Sequence, residues 1–289
     1  MGKSANPALE RRRLASELRR LRTVSQLTIN EVADRLECSP GKISRIETGV
    51  VGAQLRDVRD LLEVYEVDGH ERERLLALVR EARKRGWWHE FAGILAPEST
   101  RFFGLEDGAA TIEEYSCSLV PGLLQTEGYA RALIGTAAED AELLDRRTEL
   151  RLQRQRLLTR SSPPPPRLNV VLHEAVLAAR IGGPSVMAQQ LVQLIEVGRL
   201  PNVTIRVLPL IAGAHAGAGV SYTIFLFADD EVDRPVVHIE HLTSSAFREQ
   251  PNDLVEYRRA FAGVLDMALD PSASEQVVTD YLAVLRGLD

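Results

Sequence analysis

The side chains best suited to chemistry in this 289-residue chain lie within one short stretch, Gly41-Lys42-Ile43-Ser44-Arg45. A fork of N–H donors such as arginine's can give two hydrogen bonds to O6 and N7 of a guanine, and each such pair is worth about 1–3 kcal/mol of base discrimination. Arg45 is therefore the first candidate for reading a base edge, and Ser44 can address either a base or a phosphate. Lys42, nearer the start of the same segment, can reach a base or a phosphate. Thr28, Ser39, Pro40 and Thr48 complete the expected DNA-contacting set with Gly41, because they start or end the helices around it and free amides at helix starts hold phosphates.

Elsewhere the chemistry is thinner. His215 stands in Gly213-Ala-His-Ala-Gly-Ala-Gly219, where glycines let a ligand approach the backbone and a histidine titrates near neutrality. No Cys or Ser nucleophile is placed beside it by a motif, so this segment reads as a turn, and no catalytic residue is expected. His173-Glu174 and His238-Ile-Glu240-His241 have ligand-type side chains, but strand alternation puts His238 and Glu240 on one face and His241 on the other. No metal site and no cofactor are expected. The two cysteines, Cys38 and Cys117, are too few for a disulfide framework and read as small buried apolar groups.

The elements that must position Arg45 are legible around it. Leu9, Leu14, Leu18 and Leu21 recur at helical intervals among arginines and predict a first helix. Thr28 followed by Glu31 is a capping box, predicting that a second helix starts there and buries Val32, Ala33 and Leu36. Glu37-Cys38 is then the only connection before Ser39-Pro40, an N-cap and first-turn proline that open a third helix. Ile43 and Ile46 form its inner stripe, and Gly49 ends it. Leu55, Val58, Leu61, Leu62 and Tyr65 predict a fourth helix, and Leu75, Leu76 and Val79 a fifth. Two helices joined by so tight a turn are the arrangement in which one helix braces on the DNA backbone while the next enters the major groove.

Thr28-Ile-Asn-Glu-Val-Ala-Asp-Arg-Leu-Glu-Cys-Ser-Pro-Gly-Lys-Ile-Ser-Arg-Ile-Glu-Thr-Gly49 resembles the Cro/repressor (XRE) helix-turn-helix family, over roughly residues 14–67. The resemblance implies an ion pair between Arg22 and Glu47, and base-facing positions for Pro40, Gly41 and Arg45. Two residues depart from the family pattern. Ile29 stands where a Gln is usual, and Glu37 stands where the turn usually has Gly, so a non-glycine residue is expected at positive φ.

Beyond Arg85 the pattern breaks at Trp87-Trp88, where the domain junction is expected. Residues 101–160 resume helical spacing. Pro163 to Pro166 must be an extended connector. Short β-branched or aromatic runs at 168–172, 203–208, 222–227 and 236–239 then predict strands, with helices at about 184–199, 252–268 and 272–286. The expected architecture is an α N-terminal five-helix helix-turn-helix domain over 1–85, followed by an α/β (mixed) C-terminal domain over 86–289, helical in 86–160 and mixed in 167–289. The segments Tyr115–Arg131, Leu200–Pro209 and Gly213–Gly219, with the two tryptophans, resemble the C-terminal domain of actinobacterial antitoxin-like regulators. That resemblance implies a regulatory input from a ligand or from a small protein encoded nearby.

Charge separates the two parts. Residues 1–85 hold 18 Lys+Arg against 14 Asp+Glu, a net of +4, whereas the remainder holds 17 against 27, a net of -10. A basic head on an acidic body fits a DNA-reading module joined to a part that does not touch DNA. With no apolar run of membrane-spanning length and no apolar core near the N-terminus, the sequence predicts a cytoplasmic, nucleoid-associated protein with no membrane partner. The expectation is a sequence-specific regulator of transcription, a homodimer on double-stranded DNA and not an enzyme. The alternative is an antitoxin-like protein that mainly sequesters a small partner and autoregulates its operon.

Overall fold

The computed structural model describes residues 6–49, 52–137, 140–229 and 233–287. Two compact units emerge. The first runs to Glu90 and is joined by Thr100–Gly108 and Asp233; the second holds the remainder.

In the first unit five helices follow one another: α1 (Pro7–Val24), α2 (Ile29–Arg35), α3 (Pro40–Glu47), α4 (Leu55–Val64) and α5 (Gly69–Ala82). Each contributes an apolar stripe to one core, in which Leu18, Val32, Ala33, Val58, Leu61, Leu62, Leu75 and Val79 have no exposed surface. Fully burying a side chain of this kind is worth about 1.5–3 kcal/mol, so packing of these stripes, not propensity, holds helices as short as α2 and α3. Asn6 caps α1, its side-chain oxygen accepting from the amides of Ala8 and Leu9. Its Nδ2 donates to the Gly104 carbonyl and to Asp107 in α6 (Pro97–Gly108). Gly104 is required there: a Cβ at that position would lie 2.2 Å from the Cβ of Ala8. Trp87 and Trp88, set edge to face at 5.9 Å, pack in this first unit, Trp87 against Phe103, so the unit extends beyond residue 85.

The second unit is built on a six-stranded mixed sheet of order β3-β2-β1-β4-β5-β6. Its strands are β1 (Thr111–Ser116), β2 (Arg167–His173), β3 (Val203–Leu208), β4 (Tyr222–Leu226), β5 (Val236–Glu240) and β6 (Ser245–Arg248). β1, β2 and β3 are mutually parallel, and β4, β5 and β6 continue antiparallel from β1. The stretch 101–160, expected to be helical, thus contains β1, the strand at the centre of the sheet; its helical parts are α6, α7 (Glu127–Ile134) and α8 (Ala141–Gln155). β6 is likewise an addition to the expected strands. The three later helices fall where spacing placed them, as α10 (Pro184–Gly198), α11 (Pro251–Met267) and α12 (Pro271–Arg286), with a single turn, α9 (Ala175–Ala178), after β2.

Phe261 and Val264 of α11 cover one sheet face, packing with Tyr115, Val171, Leu208, Tyr222, Ile224 and Val237. At the β3 edge the Val207 amide donates to Ser274 Oγ, and the Leu269 amide donates to the Val207 carbonyl. That edge is closed against strand pairing. No helix among the described residues is long and apolar enough to cross a membrane.

Candidate nucleic-acid interface

The reading segment begins with its brace. Thr28 Oγ1 accepts from the Glu31 amide at 3.2 Å, while the Glu31 carboxylate accepts from the Thr28 amide at 2.7 Å. The Thr28 amide, together with the Thr28 hydroxyl donating to the same carboxylate at 2.8 Å, holds the Glu31 carboxyl below the ordinary carboxylate range. Ile29, where the family usually has Gln, is half-buried against the core. It therefore anchors the helix start. Leu36 ends α2, and the chain turns through Glu37, whose φ of 50° is the left-handed conformation expected from the missing glycine. The Cys38 amide then returns to the Ala33 carbonyl at 2.9 Å. Both cysteines are free and half-buried rather than fully buried, Cys38 in this turn and Cys117 just past β1.

Ser39 opens α3, its Oγ accepting from the Lys42 amide at 3.3 Å, and Pro40 occupies the first turn where no amide is needed. Ile43 and Ile46 are 1% and 4% exposed, fixing which face of α3 looks inward. Gly41, Arg45 and Thr48 consequently form the outward stripe at helical spacing, all three exposed, with Ser44 and Lys42 half-exposed beside them. A Cβ at Gly41 would lie 3.4 Å from Arg45 Nη1, so the arginine lies back over the glycine. Among the described residues its guanidinium has no hydrogen-bond or ion-pair partner. Thr48 ends the helix with its hydroxyl donating to the Ser44 carbonyl at 2.8 Å.

Lys42 differs from the other candidates. Its Nζ is 2.7 Å from Asp57 Oδ1 in the first turn of α4, a pairing that raises the ammonium's pKa. The structure thus gives Lys42 a protein partner that sequence spacing did not reveal. Behind the reading face, Glu47 is held by Arg22 Nε at 2.8 and 3.0 Å, and Arg22 Nη1 reaches the Leu27 carbonyl at 2.9 Å. This is the pair that the family resemblance implied. The Tyr65 hydroxyl adds a third contact, 3.4 Å from Glu47, and burial pushes its pKa up. Arg22 and Tyr65 together tie the end of α3 to α1 and α4.

His238, Glu240 and His241 do not assemble. His238 is buried against Phe247, whereas Glu240 and His241 are exposed. Among the described residues no group of three or more His, Cys, Asp or Glu side chains is placed to hold a metal ion.

Residues 99–280 match a domain of unknown function, DUF5753, and the chain belongs to that family. Residues 13–75 match a helix-turn-helix domain, which contains α2, the turn and α3 and identifies the N-terminal unit as that of a DNA-binding regulator. Searches of curated proteins and of solved structures gave no match.

Proposed function

We propose that the protein is a sequence-specific transcriptional regulator of the Cro/repressor type, acting as a homodimer in the cytoplasm. In this reading α3 lies in the major groove, Arg45 reads a base, and Gly41 and Pro40 allow close approach. Thr28, Ser39, Ser44 and Thr48 address the phosphates at the groove edges, and Lys42 joins them only when it leaves Asp57. The observation that carries this reading is the outward stripe of Gly41, Arg45 and Thr48 on a capped helix whose inner face is fixed by Ile43 and Ile46. The C-terminal domain acts by binding and not by catalysis, tuning DNA affinity in response to a small ligand or a small partner protein.

Genome-wide footprinting of the wild type and Arg45→Ala tests this directly. Discrete wild-type peaks sharing a two-fold motif, lost in the variant, are expected. Absence of specific wild-type peaks would overturn the reading and favour a protein whose main task is to sequester a partner.

A further inference from the structure

The chain between β3 and β4 has to cross the carboxyl ends of β2 and β1, because β4 lies on the far side of β1 from β3. In open α/β sheets the crevice outside those strand ends is where ligands bind. The crossing loop is pinned at its start by Glu174, which accepts from the Leu210 amide at 2.8 Å and from the Tyr281 hydroxyl at 3.0 Å. It carries His215 onto Tyr115, the Tyr115 oxygen lying 3.2 Å from His215 Nε2, and brings the rings of His215 and His173 to 6.4 Å.

Proton positions follow from these partners. Tyr115 is fully buried and its hydroxyl has no other partner among the described residues; burial raises its pKa to about 12. The hydroxyl is therefore protonated and donates into the Nε2 lone pair, which leaves the His215 ring proton on Nδ1. That nitrogen is buried and has no partner. His173 Nδ1 accepts from the Ala175 amide at 3.3 Å, which places its proton on Nε2. The two rings thus meet at the carboxyl ends of β1 and β2, with His215 Nδ1 beneath Gly217, whose Cβ would lie 3.5 Å from it. Arg206 adds a cation: Val171 is in register with both Tyr115 and Arg206, so Arg206 shares their sheet face, diagonal to His173, and its Nε is buried without a partner. Buried donors left unpaired are costly, and a ligand acceptor resolves them.

The connections at these strand ends carry exposed apolar side chains. Leu119 follows β1, and Leu210, Ile211 and Val220 lie in the crossing loop; all four are exposed, Ile211 to 91%. An apolar surround with a few convergent polar groups is the usual make-up of a small-molecule site. Gly213 and Gly219, at φ 72° and 81°, bracket the turn over His215 in a conformation that favours glycine.

We propose that this end of the sheet binds a small amphipathic anion, its carboxylate or phosphate oxygens received by His215 Nδ1–H and His173 Nε2–H beside Arg206, its apolar part lying on Leu210 and Ile211. The proposal rests on the regulator reading in one respect, since it names the ligand class that the C-terminal domain would answer to.

The test titrates the full chain with octanoate and octyl phosphate, and with acetate, inorganic phosphate and octanol, using calorimetry and histidine proton–nitrogen spectra. Octanoate or octyl phosphate should bind at one site, at least tenfold more tightly than octanol or the short anions. Which of the two binds identifies the source of the oxygen. Before titration the spectra should show His215 protonated on Nδ1 and His173 on Nε2. His215→Ala and, should it fail to fold, His215→Gln should each weaken binding at least tenfold. Octanol binding as tightly, no binding by either chain-bearing anion, unaltered binding in a folded His215 variant, or the opposite His215 tautomer would each overturn the proposal. DNA binding measured on the same preparation separates the two failures. DNA binding without anion binding sinks the site alone, and anion binding without DNA binding sinks the regulator reading alone.

Discussion

Arg45 and Lys42 lie three residues apart on α3 and face different situations. Arg45 is exposed and has no partner among the described residues, so a base can use both its donor arms without first breaking a contact to them. Lys42 must exchange Asp57 for a phosphate, and the exchange is nearly neutral at a half-exposed site. Arg45→Ala should therefore lower affinity for the operator by about 10–100-fold, the equivalent of one bidentate base contact, with little change on unrelated DNA. Asp57→Asn should do the reverse, raising affinity for all DNA by freeing Lys42 and steepening the salt dependence by about one counterion. Mobility shifts at several salt concentrations check both, and an unchanged slope in Asp57→Asn would mean that Lys42 does not reach the phosphates. Arg45 was legible in the sequence because its role depends on local spacing from Ile43 and Ile46. Asp57 was not, because the pairing joins two helices whose separation across the intervening turn no periodicity encodes.

The turn between α2 and α3 holds a non-glycine residue in a left-handed conformation, and so do the chain reversals at Gln26 and Glu66. For an L-residue this conformation costs about 1–2 kcal/mol, whereas glycine gives back about 0.5–1 kcal/mol in unfolded-state freedom. Glu37→Gly should then stabilise the protein by roughly 0.5–1 kcal/mol, read as a higher urea midpoint with unchanged slope; a lower midpoint would show that the Glu37 side chain makes a contribution of its own. The capping box gives a pH-dependent counterpart. Glu31's folded pKa lies below its ordinary 4.5, so its contribution is present above that value and fades as pH falls through the folded value. The stability difference between wild type and Thr28→Ala should shrink on acidification below about pH 4.5, and a difference constant down to pH 2 would contradict the reciprocal bond. At this scale the five N-terminal helices were readable because capping and apolar period agree locally. β1 was not, since Thr-Ile-Glu-Glu-Tyr-Ser is six residues long, carries two adjacent carboxylates and sits between helices. Its identity as a central strand comes from pairing with β2 and β4, partners distant in the chain. The convergence of His173 and His215 was hidden for the same reason, being a product of sheet order.

At the scale of the whole molecule the charge division decides how the protein can bind DNA. The acidic remainder, with its net of -10, gains nothing from approaching phosphates, so the net +4 of residues 1–85 and the contacts of α3 must carry the affinity. An eight-residue helix spans only a few base pairs, too little sequence to single out one site among the roughly 10⁶–10⁹ competing sites of a genome. Two copies related by a two-fold axis remedy this, placing their reading helices about 34 Å apart on one face of the duplex. The operator should accordingly contain inverted half-sites centred about 10 base pairs apart. Inserting about 5 base pairs between them turns the second half-site to the opposite face of the helix. Affinity should then fall at least about tenfold, towards that of a single half-site, since each mismatched pair already costs about 1–3 kcal/mol. A mobility-shift titration at fixed salt decides the matter. If the insertion leaves the midpoint unchanged and the complex contains one chain, recognition is monomeric, and specificity must come from contacts outside α3.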